Sequence, residues 1–188
     1  MVDPGEFICT DTLRNGLAVT IRSLRPDDRE RIATAIRLLD RQSIYFRLFS
    51  YRTELTDAAL DRIVNIDPAR VAALVVTTLK DGEEIVIGSG RFVECGERDG
   101  RRTAEVAFMV EEDYHGLGIA GRLLRHLAAI ARERGIAAFE ADVLSENKSM
   151  LAVFARPGWP MQTRRDGGTT HVLLTLPDAH AQAGPRAR

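Results

Sequence analysis

Between Val106 and Leu124 the chain reads VAFMVEEDYHGLGIAGRLL, an apolar run and an acidic stretch followed by Gly116, Gly118 and Gly121. Glycines between a strand and a helix let backbone N–H groups approach an anion closely, and the unpaired amides and dipole of the helix N-terminus add favourable partial charge. The segment therefore suits phosphate, although a strand-to-helix turn also needs glycine for its geometry alone. The same glycines satisfy G-x-G-x-x-G, with Glu140 and Asp142 near the distance at which a dinucleotide fold places its ribose-binding acid. Against that reading, Glu111, Glu112, Asp113, Tyr114 and His115 separate the last apolar strand residue from Gly116. The motif follows several strands instead of opening the fold, and too little chain remains after Asp142 to complete a parallel, doubly wound sheet.

One residue ahead of that run, Glu105 sits inside the apolar strand AEVAFMV, Ala104 to Val110. Partial desolvation there would raise its pKa towards the range of a general base. Alternation equally allows a solvent-facing strand residue, on the side of Ala107 and opposite Val106. The four histidines, His115, His126, His171 and His180, show no metal-ligand spacing, and there is no C-x-x-C, so no zinc site is expected. His126 reads as a surface residue, and neither Cys9 nor Cys95 has a nucleophile setting.

The elements that must position these residues follow from periodicity. Val19–Ser23 alternates as a strand, and Arg25, Pro26, Asp27 and Asp28 break it and start a helix. Apolar residues from Arg31 to Leu48 recur at helical spacing, with a bend or restart over Ser43–Phe49. Thr56 is an N-cap for a short helix ending near Pro68. Val71–Leu79, Glu84–Glu94 and Thr103–Val110 form a meander, after which the glycine loop opens a periodic helix stopped at Gly135. Ala138–Val143 is a strand, Asn147–Arg156 a short helix, and Met161–Arg165 with Val172–Leu176 a closing hairpin turned at Gly167 and Gly168. From Asp178 onwards no core-forming pattern is visible.

The 188 residues, 45% of them hydrophobic, suffice for one domain with its own core. A formal net charge of -1 gives no electrostatic reason to expect nucleic acid. Two cysteines build no disulfide framework and read as reduced thiols of a cytoplasmic protein. No run approaches the ~20 apolar residues of a membrane span, and the start of the chain lacks the pattern of a secretory signal.

AEVAFMV, the loop, the amphipathic helix, SENKSML (Ser145–Leu151) and FARPGW (Phe154–Trp159), in this order, resemble the GNAT superfamily of acyl-CoA-dependent N-acyltransferases. That family's loop reads Q/R-x-x-G-x-G/A, matched by His115, Gly116, Leu117, Gly118, Ile119 and Ala120 except that His115 replaces the usual Gln or Arg. The likeness runs from about Val19 to Leu176, and LTDAALDRIVNID, Leu55–Asp67, looks like the acetyltransferase domain of bacterial protein lysine acetyltransferases. It implies an α/β (α+β) fold, a mixed, mostly antiparallel sheet flanked by helices on both faces. Residues 18–177 would form this domain, residues 1–17 an N-terminal extension and residues 178–188 a flexible tail.

The resemblance implies acetyl-CoA as cosubstrate, no metal, and a protein lysine or a small amine as acceptor. It leaves open a regulatory partner, a homodimer, or an acyl-CoA sensor without turnover. The nucleotide-sensing or synthetase-like domain that often accompanies such enzymes finds no room in this chain, so regulation of that kind is expected from outside it. Glu105 would be the general base. The backbone groups of Phe108, Met109 and Val110 would hold the pantetheine arm, and the amides of Leu117, Gly118, Ile119, Ala120 and Gly121 the pyrophosphate. Arg122 is a side-chain contact to phosphate or a solvated helix charge. Asn147 is a helix cap or a ligand of the arm. Phe154 stands where the wider superfamily has a proton-donating tyrosine, so the departing thiolate would take its proton elsewhere or leave without one. An acceptor groove is expected between Arg31–Arg62 and the closing hairpin.

Overall fold

The computed structural model describes residues 7–38 and 56–177. The strands are β1 (Ile8–Thr12), β2 (Ala18–Ser23), β3 (Val71–Lys80), β4 (Glu83–Arg98), β5 (Arg101–Val110), β6 (Ala138–Leu144), β7 (Met161–Asp166) and β8 (Thr169–Thr175). The helices are α1 (Arg29–Arg37), α2 (Asp57–Val64), α3 (Ile119–Glu133) and α4 (Lys148–Ala155). The described strands form one sheet in the order β1-β2-β3-β4-β5-β6-β8-β7. Every neighbouring pair is antiparallel except β5 and β6, which α3 connects.

The mixed, mostly antiparallel sheet expected from the resemblance is present, and so are its helices on both faces. On one face the apolar stripe of α3, Leu123, Leu124, Leu127 and Ala131, packs with Phe154 of α4 against Ile21, Leu74, Phe92, Val106 and Phe139. On the other face Ile32, Ala33 and Ala35 of α1 and Leu60 of α2 close over Val75 and Val86. Thr56 caps α2 as expected, its hydroxyl accepting from the Ala59 amide at 3.3 Å.

Two expectations change. Ile8–Thr12, assigned to an extension, pairs with β2 and is one edge strand of the sheet. That strand covers His126, which is therefore half-buried and not a surface residue: Phe7 lies 5.0 Å from it, centroid to centroid, and the Cys9 thiol 3.7 Å from its Nε2. Burial lowers the pKa of His126, against the pull of Asp11. The helix starting at Arg29 ends at Arg37, and the expected continuation to Leu48, with its bend, lies outside the described residues, as does the tail from Asp178.

A buried ion network fixes where α1 begins. The Arg22 guanidinium donates twice to Asp28, 2.7 Å each, and to Glu84 at 3.1 Å, while Asp28 also accepts from the Arg25 amide at 2.9 Å. Asp28 is fully buried. Burial alone would raise its pKa, but the hydrogen bonds and charge of Arg22 hold it below the usual carboxylate value.

Candidate active site

β5 and β6 run together for only three residue pairs, Thr103–Glu105 beside Ala138–Glu140. Beyond them β5 stays with β4 as far as Val110, and β6 stays with β8 as far as Leu144, so the strands part. The resulting cleft, about 710 Å³, is lined on one wall by Glu105 to Val110, on the other by Ala141 to Val143, Asn147 and Phe154, and at its end by the glycine loop.

Alternation along β5 decides which backbone groups the parting exposes. Ala137 donates to the Arg102 carbonyl and Glu111 donates to the Ile87 carbonyl, so even-numbered residues of β5 turn towards β6 and odd-numbered ones towards β4. The last pair, Glu105 beside Glu140, uses the Val106 N–H, so Val106 presents its C=O to the gap and Phe108 both N–H and C=O. Met109 does not: its backbone faces Ser89 on β4, and only its side chain reaches the cleft. The Val110 carbonyl is occupied by His115, whose Nε2 donates to it at 2.9 Å. His115 lines the cleft and folds the loop back onto the strand end, a local role for the residue that departs from the family pattern.

Gly116 (φ +74°) and Gly118 (φ +90°) hold left-handed backbone conformations that L side chains rarely adopt. The first helical hydrogen bond of α3 runs from the Arg122 amide to the Gly118 carbonyl, so the amides of Ile119, Ala120 and Gly121 have no partner within the helix. Gly118, Ile119, Ala120 and Gly121 all line the cleft, with no acidic residue in the first turn of α3. Such an arrangement can hold an anion by backbone groups alone. Leu117 instead packs against the main core.

The arginines of this loop exchange roles relative to the sequence reading. Arg122 turns away from the cleft: its Nε donates to Asp11 at 2.5 Å and its Nη2 to the Thr12 carbonyl at 2.8 Å, clasping β1 to the loop. Arg14, on the turn after β1, was not foreseen; it lines the cleft and donates to the Gly116 carbonyl at 3.1 Å. Its signal was invisible because only the pairing of β1 brings it there.

Glu105 stands at the fork, beside Glu140 and on the same sheet face as Ala107 and Met109. It is exposed, so the desolvation invoked from the sequence is absent from the free protein. Asn147 both caps α4, accepting from the Met150 amide at 3.0 Å, and lines the cleft, which leaves its amide nitrogen for a ligand. Phe154 is buried against Phe108, 6.0 Å between centroids, and offers the cleft no proton. The expected acceptor groove falls partly on residues 39–55, outside the described residues. Among the described residues no cluster of His, Cys, Asp or Glu could hold a metal, and no helix is long and apolar enough to cross a membrane.

The family model described as the acetyltransferase (GNAT) family matches residues 35–159, about two thirds of the chain. The chain belongs to that family. It is an acyltransferase using acetyl-CoA, and the dinucleotide reading falls with the mainly antiparallel sheet. An acetyltransferase of Pseudomonas aeruginosa is 32% identical over 159 residues, 85% of this chain and 84% of its own. Acetyltransferase Pat of Mycolicibacterium smegmatis is 32% identical over 88% of this chain, which spans only 48% of that relative. The crystal structure of the GNAT domain of S. lividans PAT superimposes with a TM-score of 0.79 at 29% identity, covering 90% of this chain and 97% of that one.

Proposed function

We propose that this acetyltransferase acetylates protein lysine side chains, with Glu105 accepting the proton that the acceptor ammonium must lose. The observation that carries the reading is the placement of Glu105 at the fork of the cleft, where the parted strands would present the thioester. Acetyl-CoA supplies the acetyl group on a thiol leaving group. The residues present fit it: Val106, Phe108 and Asn147 suit the amides of the pantetheine arm, while the amides of Ile119, Ala120 and Gly121, with Arg14 beside them, suit the pyrophosphate.

The amine of a solvated lysine side chain titrates near ~10.4 and is protonated at neutral pH, so it attacks only after losing a proton. Glu105 takes that proton directly or through one water. The amine nitrogen then bonds to the acetyl carbon as the carbon–sulfur bond breaks, and the second amine proton is released as the amide forms. Burial of the carboxylate beneath the bound acceptor would supply the desolvation that the free protein lacks. The paired carboxylates of Glu105 and Glu140 support a cationic acceptor, and the likeness of the sequence Leu55–Asp67 to protein lysine acetyltransferases supports lysine.

Steady-state release of CoA with lysine peptides, intact proteins, polyamines and amino acids tests the acceptor. Glu105→Gln, close in shape but unable to take the proton, should lower kcat by about 10²–10⁴ with little change in acetyl-CoA affinity. Full retention of kcat would make Glu105 structural. Tight cofactor binding without turnover on any amine would favour a sensor, and turnover confined to a metabolite would favour the small-amine reading.

A further inference from the structure

Asp142 and His171 form a pair that the reaction described above does not use. They stand opposite each other on β6 and β8, and His171 Nδ1 donates to Asp142 Oδ1. On open surface such a pair would carry little consequence, since exposed ion pairs contribute little. This one is exposed but stands at the cleft: Asp142 lines it, on the strand that leaves β5 at Glu105. Register sets its direction. Glu105 is beside Glu140, so both side chains share a face of the sheet, and Asp142, two residues on, shares it too. The opposite face of the cleft is closed by Phe108, Phe154 and α3, which leaves the Glu105 and Asp142 side for an incoming acceptor.

We infer that Asp142, oriented by His171, binds the positively charged acceptor as it enters the cleft beside Glu105, and so sets a preference for cationic amines. The inference rests on the reading of Glu105 as the base on the acceptor side. His171 is a positioning residue: by engaging one carboxylate oxygen it fixes the rotamer of Asp142 and turns the other oxygen to the cleft. Arg164 of β7 stands across from His171 on the same face, and Glu140 lies between Asp142 and Glu105. A cation arriving there meets carboxylates from β5 and β6; the arginines nearest on that face of the sheet are Arg91 of β4, opposite Ala107, and Arg164 of β7, two strands from Asp142. No bond is made or broken in this step, so the effect belongs to acceptor binding and not to kcat.

The test uses the full chain with saturating acetyl-CoA and a lysine-containing peptide as acceptor, or spermidine if the peptide is not acetylated. Asp142→Asn should raise the acceptor KM about fivefold, the reach of an exposed charge pair, with kcat and the calorimetric acetyl-CoA Kd little changed. His171→Ala should raise KM in the same direction. His171→Asn, whose amide donates where Nδ1 does, should restore it. An unchanged KM in Asp142→Asn overturns the inference while leaving the Glu105 reading intact, and so does a His171→Asn variant no better than His171→Ala. Loss of kcat in Asp142→Asn also overturns it, since that would place Asp142 in the chemistry. If Glu105→Gln keeps full kcat, the base assignment fails by itself. Acetylation of neither cation overturns both.

Discussion

Gly121→Ala separates the stability of the free protein from its grip on the cosubstrate. Gly121 has ordinary helical backbone in the first turn of α3, and a Cβ built on it meets nothing within 4 Å. In the free protein the change is therefore benign, and the loss of glycine's extra unfolded-state freedom should add about 0.5 kcal/mol of stability. If the pyrophosphate lies over the unpaired amides of that turn, the same methyl occupies its space, and acetyl-CoA affinity should fall at least about tenfold, or ~1.4 kcal/mol. A ligand at 100 times its Kd stabilises by ~2.7 kcal/mol, and at ten times by about half of that. The Tm shift induced by a fixed acetyl-CoA concentration should accordingly be roughly halved in a variant whose own Tm is unchanged or higher. Calorimetry measures the affinity directly. Gly118→Ala is the contrast: at φ +90° the new Cβ lies 2.6 Å from Arg122 Nη1, so backbone strain of about 1–2 kcal/mol and a displaced clasp lower the Tm as well as the affinity. A Gly121→Ala protein that binds acetyl-CoA as well as the parent would refute the placement of the phosphates.

Asp28→Asn leaves Arg22 buried with only Glu84 as counter-charge and should cost about 3 kcal/mol, a Tm loss of about 6–12 °C by calorimetry. Because the pKa of Asp28 is lowered, its stabilisation is complete above the usual carboxylate value of ~3.9 and is lost as pH falls below it, so the penalty should be flat from pH 8 to 5 and shrink towards pH 3. The lowered pKa of His126 predicts that stability declines as pH drops below the usual imidazole value of ~6.5; His126→Gln should remove that part of the pH dependence in thermal melts. Asn147→Asp keeps an acceptor for the Met150 amide but loses the donors, so acetyl-CoA affinity should fall about three- to tenfold at unchanged Tm, whereas Asn147→Ala should lose both.

What the sequence disclosed was local. Alternation marked β2, a β-branched run and the turns between strands marked β3 to β5, helical spacing marked α3, and the glycines marked the cradle, because each signal lies within a few consecutive residues. β1 was missed because an edge strand of five residues, ICTDT, alternates only between exposed and half-buried positions and carries no apolar stripe. With it went the burial of His126, the arrival of Arg14 and the diversion of Arg122, contacts that span more than 100 residues and follow from the pairing of one edge strand with β2. The choice between Phe108 and Met109 depends on backbone parity, which follows from the register with β4 and not from residue type. Asp142 and His171, 29 positions apart, likewise meet only through the ladder of β6 and β8.

The three residue pairs between β5 and β6 also make a seam. Along it the sheet divides into five strands on one side and three on the other, held together chiefly by α3 and its packing. The Phe108 amide faces the gap and that of Val106 closes its last pair, so both should exchange with solvent hydrogen while the rest of the ladder stays closed. An acetyl donor lying in the gap would act as a missing strand, giving Phe108 a partner and stapling the halves. Mechanical coherence would then depend on donor supply, and a donor-starved molecule would breathe more widely and be nicked by proteases sooner than a charged one.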